Sequence, residues 1–211
     1  MKKFIAIIAT LVVTTFAFNA KAQFSGIEGM PPYKFGVTAG FNMPWVSGSY
    51  GNTSYEKTAG FQLGANLMLD ASELLQNTFA RVEAKYSMKG AYCEVNSVKN
   101  HLTLHYLEIP VHYGYAWFIN DDVSVMAETG PYVALGLSST FKAESAAGKA
   151  SSNAFGSRFD LGWGVQASVM FAKDYQLHVA YDYGFINVSD HLLQNRNLSI
   201  GLTWFFESLF E

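Results

Sequence analysis

Apolar and polar positions alternate without a break from residue 159 to residue 171. Phe159, Leu161, Trp163, Val165, Ala167, Val169 and Phe171 are apolar, while Asp160, Gly162, Gly164, Gln166 and Ser168 between them are small or polar. Successive side chains of a strand point to opposite faces, so this segment predicts a strand with one apolar wall and one wet wall. The same two-residue period predicts seven more strands, over 35–43, 61–69, 80–89, 107–117, 123–137, 175–185 and 197–206. Eight is an even number, as an up-and-down antiparallel ring requires. Short turns are predicted at 70–77, 120–122 and 172–174, and long polar loops at 44–57, 90–100, 139–157 and 186–195, with 139–157 expected to be mobile. Short turns at one end and long loops at the other are the habit of outer-membrane barrels.

The wet wall decides between a soluble and a membrane barrel. A soluble exterior would carry Lys and Glu, but this wall is mostly Gly, Ser, Thr, Asn and Gln, and charged residues are 15% of the chain. Small and polar residues suit the inside of a narrow ring, where eight strands leave just enough room for side chains. Aromatics gather where interface girdles would lie: Phe35, Trp117, Phe171, Tyr175 and Trp204 at one end, and Phe41, Trp45, Phe159, Tyr183 and Phe185 at the other. The fold class expected is therefore all-β, an eight-stranded antiparallel up-and-down transmembrane β-barrel. No stretch after residue 22 reads as a membrane-spanning helix; the most apolar one, 106–119, is short and contains Glu108, Pro110, His112 and Gly114.

Residues 1–22 read as a secretory signal peptide: Lys2 and Lys3, an apolar run from Phe4 to Phe18, and the cleavage site Ala20-Lys21-Ala22. The expected organisation is a signal peptide at 1–22, a periplasmic segment at 23–33, the barrel at 34–206 and a tail at 207–211. Removing Lys2, Lys3 and Lys21 leaves 11 of 14 Lys+Arg against 17 Asp+Glu, a net charge of −6. That balance argues against nucleic acid as a partner. Cys93 stands alone, which excludes an internal disulfide and a cysteine metal site. His101, His105, His112, His178 and His191 are scattered without ligand spacing, and neither metal nor cofactor is expected.

The segments YLEIPVHYGY (106–115), GPYVALGL (130–137), RFDLGWGVQASVMF (158–171), YDYGFINVSD (181–190) and NRNLSIGLTWFF (195–206) resemble the PorT-type outer-membrane β-barrel family of Bacteroidetes-like bacteria. The resemblance runs from about residue 34 to residue 206. It implies the eight-stranded barrel, the outer membrane of a Gram-negative bacterium, and a link to protein secretion for a few members, without one shared activity. The stretch 199–206 is also similar to the C-terminal signal read by the outer-membrane assembly machinery, with Ser199, Gly201, Trp204 and Phe206 in the signal positions. The chain continues for five residues beyond Phe206, and the alternating register assigns the terminal role to Phe206 in preference to Phe210.

Charge on the inner wall is the main candidate chemistry. Arg81, Glu83, Lys85 and Lys89 share that wall with Glu108, Glu128, Asp160 and Asp182. They would line an ion path or ligand site, or form a paired plug; a narrow lumen and the cost of unpaired buried charge favour the plug. A lipid-modifying enzyme would need a rim dyad, for which Ser87, His101 and His105 are the candidates, but no G-x-S-x-G element accompanies them. A non-enzymatic structural or accessory envelope component is expected, with a small-solute channel and a lipid enzyme as the alternatives. Outer-membrane lipid and the assembly machinery are the expected partners. A further protein or surface partner would meet the loops through Trp45, Tyr50, Tyr55 and Tyr92.

Overall fold

The computed structural model describes residues 33–47, 56–95, 98–145, 148–152, 157–187 and 194–206. The expected signal peptide, the periplasmic segment up to residue 32 and the tail at 207–211 lie outside the described residues. Nine strands are described: β1 (Tyr33–Ser47), β2 (Gly60–Asp70), β3 (Thr78–Val95), β4 (Val98–Asn120), β5 (Val123–Ser145), β6 (Gly148–Ser152), β7 (Phe159–Phe171), β8 (Tyr175–Asn187) and β9 (Gln194–Phe206). Eight of them close a ring in the order β4-β3-β2-β1-β9-β8-β7-β5, with β4 pairing β5. All pairings are antiparallel, and β1 pairs both β2 and β9, so first and last strands seal the ring. Closure removes the free edges that an open sheet would offer to other chains.

Two walls follow from the alternation. Leu63, Val169 and Leu202 point outward and are 59%, 39% and 46% exposed, while their polar neighbours Gln62, Ser168 and Thr203 are buried inside. A continuous apolar exterior of this extent belongs against hydrocarbon. β7, β8 and β9 have 13 residues each, enough for the 9–11 tilted residues that a bilayer needs. Glycines on the inner wall make room for neighbours' side chains. A Cβ at Gly114 would collide with the Phe79 ring and with Glu128, and one at Gly164 would meet His112 Nε2 at 2.8 Å.

Two of the predicted loops are largely strand. β3 and β4 run on to Val95 and from Val98, so most of the segment read as a loop at 90–100 is paired strand. β5 continues to Ser145 and β6 returns against it, so much of the segment read as a mobile loop at 139–157 is also paired. Strand β2 leaves β3 at Ser87, and β7 leaves β5 at Leu135. Beyond those points β3, β4, β5 and β6 form a four-stranded sheet that projects past the ring. A bulge marks its base: Tyr106 faces Gly136 and His105 faces Ser138, leaving Leu137 unpaired. Such a bulge bends its strand and increases the local twist.

The opposite end is tight. Asn120 Oδ1 accepts the backbone N–H groups of Asp122 and Val123 at 3.0 and 2.9 Å, closing the β4–β5 turn. Ala172 and Lys173 take φ values of 50° and 63° between β7 and β8, where two left-handed residues match strand twist.

Candidate functional site

The inner wall is layered along the barrel axis. At the turn end six inward side chains form an apolar cluster: Met68, Phe79, Ala116, Met126, Met170 and Phe205. At the loop end Leu104, Tyr106, Tyr132 and Ala134 form a second, with Leu102 packed against it. Leu102 also meets Val46 and Ala91. Between these two stoppers lies the charged band.

Strand β3 sends Arg81, Glu83, Lys85 and Lys89 into that band because they share one parity. Arg81 Nε approaches Glu128 Oε2 at 3.2 Å without the alignment of a hydrogen bond, so their attraction is mainly Coulombic. Arg81 also donates to Gln176 Oε1 at 2.8 Å, and Gln176 donates to Ser168 at 2.7 Å. His112 Nδ1 lies 3.5 Å from the other oxygen of Glu128. Glu108 takes two cations: Lys85 Nζ at 3.8 Å and Lys89 Nζ in closer contact. Each cation group leans on a stopper. Arg81 stacks 5.8 and 5.7 Å from the Phe79 and Phe205 rings, and Lys89 lies 4.9 Å from the centre of Tyr132.

The remaining carboxylates are held differently from the paired plug expected. Asp160 accepts from Asn195 at 2.8 Å and from the Tyr132 hydroxyl at 3.3 Å, and Asp182 accepts from Asn197 at 3.4 Å. Glu83 forms no ion pair among the described residues, and its Oε1 has no hydrogen-bond partner. Three cations thus face five carboxylates, and amide and hydroxyl donors supply part of what ion pairing does not. The lumen is filled in layers, with the ion pairs in the middle and Lys34 and Asp70 buried at the turn end.

At the loop end, Trp45 is half-buried in β1 and Tyr92 is half-buried in β3, so neither is a loop residue as expected. The strands simply run farther than the alternation had suggested. Trp45 packs its ring 6.0 Å from Tyr181, and Tyr92 packs 4.7 Å from His101. Tyr50 and Tyr55 lie outside the described residues. A groove of about 440 Å³ at the base of the projecting sheet is lined by Lys57, Met88, Tyr92, His101 and Thr103, among others.

The candidate dyad does not assemble. Ser87 faces the lumen, fully buried, and accepts from Asn42 at 3.1 Å. His105 faces outward, bonded through Nδ1 to the Tyr86 hydroxyl at 2.5 Å, and His101 lies on that same outer face. In the terminal strand Ser199 and Gly201 point inward and Trp204 outward, while Phe206 ends β9 opposite Phe35. Phe210 lies outside the described residues.

Sequence reasoning passed over the stoppers. Its signal was present as apolar pairs that break the alternation near strand ends: Val125-Met126, Val169-Met170 and Phe205-Phe206. Where both walls are apolar, the inner one is closing the lumen.

The family model described as "Outer membrane protein beta-barrel domain" matches residues 31–190, which take in β1 to β8. Among curated proteins nothing matches. Among solved structures, OprG from Pseudomonas aeruginosa is 13% identical, with 86% of this chain and 100% of that chain covered at a TM-score of 0.48. Neisserial surface protein A is 16% identical over 82% of this chain and 97% of its own, TM-score 0.45. Ail of Yersinia pestis is 15% identical over 84% and 100%, TM-score 0.43. The protein is a small barrel of the Gram-negative outer membrane, and the chain belongs to the outer membrane protein beta-barrel domain family.

Proposed function

We propose that this barrel is a closed, non-enzymatic envelope component that works through its extracellular end, as a structural or accessory part of a larger surface assembly. One observation carries the reading: an apolar stopper at each end of the lumen, Phe79 and Phe205 below and Leu104 and Tyr132 above, with a charged band between them. A lumen blocked in this way offers no water path for a solute. Activity then falls to the projecting sheet of β3 to β6, the groove at its base and the adjoining loops. Loops and edges carried on a rigid scaffold are where recognition is usually placed. The resemblance to the PorT-type family makes protein secretion the first process to examine. A rim enzyme has less support, because Ser87 and the outward histidines lie on opposite walls.

Planar-bilayer recording tests the closed lumen. Wild type should give no reproducible unit conductance, and stripping both stoppers (Phe79→Ala, Phe205→Ala, Leu104→Ala, Tyr132→Ala) should raise leak. Steady single-channel steps from wild type would replace this reading with a channel. A deletion strain, complemented by a barrel lacking residues 138–157, should show the same secretion or envelope defect as the deletion itself. Full rescue by that shortened barrel would remove the projection from the function.

A further inference from the structure

Arg196 is the one Lys, Arg, Asp or Glu that the described ring strands, below the projecting sheet, carry on the lipid-facing wall. Its neighbours Asn195 and Asn197 point into the lumen, where they bond Asp160 and Asp182, so Arg196 points out. It is nonetheless only 6% exposed. Its guanidinium lies 3.4 Å above the centre of the Tyr183 ring. It donates to the backbone oxygens of Gly184 and Asn195 at 2.9 and 2.8 Å, and to Gln194 Oε1 at 3.0 Å. All these partners are neutral. Among the described residues no carboxylate lies within ion-pair distance of it.

A buried cation without a counter-charge is costly. On a wall that faces outward, what the wall touches is placed to supply that charge. The surroundings say what that is. The strand register sets Trp45 on β1, Arg196 on β9 and Tyr183 on β8 in one row. Lys57 Nζ stands 5.0 Å from the centre of the Trp45 ring and brings a second cation. The row lies one pair, about 7 Å, beyond the lipid-facing row of Met43, Leu198 and Tyr181 on the same strands. Trp45 and Tyr183 belong to the aromatic girdle of the loop end, and such girdles settle at the membrane interface. The aromatic girdle at the turn end, with Trp117, Phe171, Tyr175 and Trp204, has no outward Lys or Arg among the described strand residues.

We propose that Arg196 and Lys57, framed by Trp45 and Tyr183, bind the phosphate of an anionic outer-leaflet lipid on the outer face of the barrel. Arg196 supplies a held, charge-assisted donor, and Lys57 adds an exposed charge from the side. The aromatic rings hold both cations at interface depth, where rings of this kind settle. The site is independent of the proposed function and would stand with either a closed or an open lumen.

The test uses the full barrel in phosphatidylcholine nanodiscs containing a small fraction of lipid A, a phosphorylated glycolipid, with retained lipid read by native mass spectrometry. Wild type should retain lipid A and release it when the lipid phosphates are removed. Arg196→Gln should lower retention about tenfold, the size of one charge-assisted hydrogen bond. Lys57→Gln, at an exposed position that leaves the fold untouched, should lower it about threefold. Millimolar inorganic phosphate should not compete. Equal retention of dephosphorylated lipid, displacement by free phosphate, or unchanged retention in both variants would overturn the proposal. So would an internal partner: if Asp190→Asn lowered heat stability in detergent as much as Arg196→Gln, with lipid retention unchanged by either, the counter-charge would be the chain's own.

Discussion

Breaking the Arg81–Glu128 pair by one side should cost far more than removing both charges. Each residue is 4% exposed, and they approach at 3.2 Å inside the lumen. Removing one partner of a buried pair typically costs about 3–5 kcal/mol, because the other charge is stranded. Arg81→Met would leave Glu128 with only His112 at 3.5 Å and would strip Gln176 Oε1 of its donor. Methionine can still pack between the Phe79 and Phe205 rings, which limits the loss of contact there. We expect about 4 kcal/mol for Arg81→Met and about 3 kcal/mol for Glu128→Gln. The double variant removes both charges and should lose only about 2 kcal/mol, most of it the Gln176 bond. The resulting coupling, on the order of 4–5 kcal/mol, lies above the usual range for residue pairs, as two nearly dry charges should. Urea unfolding in lipid vesicles, followed by tryptophan emission, measures all three variants. Additive losses, or single variants each below about 1 kcal/mol, would refute the buried-pair account and imply a hydrated lumen.

Three further expectations follow from the same walls. Val165→Arg places a charge on the mid-strand lipid face and should cost about 2–4 kcal/mol in a bilayer, while Gly164→Arg should act by collision with His112 and Asp182; equal tolerance of both in vesicle unfolding would reverse the walls. Lys85→Met, which strips Glu108 of one of its two cations, should destabilise the barrel by about 2 kcal/mol, against about 0–0.5 kcal/mol for Glu94→Gln on the projecting sheet, by the same unfolding assay. Partial burial pushes the Cys93 thiol up from its ordinary value, so at neutral pH less of it is thiolate and maleimide should label it more slowly than a free cysteine, with the rate rising towards alkaline pH; labelling as fast as free cysteine would place it in open solvent.

The ring was legible because its cause is local. A two-residue period is written in each strand separately, and the inward and outward sets of β7, β8 and β9 follow it throughout. The charges of the band were legible for the same reason: Arg81, Glu83, Lys85 and Lys89 had to share a face. Their partners were not. Which carboxylate meets which cation depends on inter-strand stagger, and the chain alone does not show that Arg81 stands beside Glu128 while Lys85 and Lys89 share Glu108. The long hairpin of β3 and β4 was hidden by composition. Its upper part holds Gly90, Asn100 and Lys99, residues that usually mark loops, and here backbone pairing across the hairpin overrides that preference.

Reading depth as well as face would have reached further. An inner wall with a charged band at mid-height and an apolar layer on either side of it is neither a pore lining nor a soluble core. It keeps water from the charged band at the two places where water could enter. Two of its cations then lie against the rings of the stoppers, Arg81 on Phe79 and Phe205 and Lys89 on Tyr132, so each stopper also anchors the charge next to it. The outer wall repeats the device at the loop end, with Arg196 on Tyr183 and Lys57 on Trp45. Inside, the ring-covered cations face carboxylates of the chain itself; outside, Arg196 and Lys57 have none within ion-pair distance among the described residues. That difference is what separates a group that holds the barrel together from one that meets the membrane.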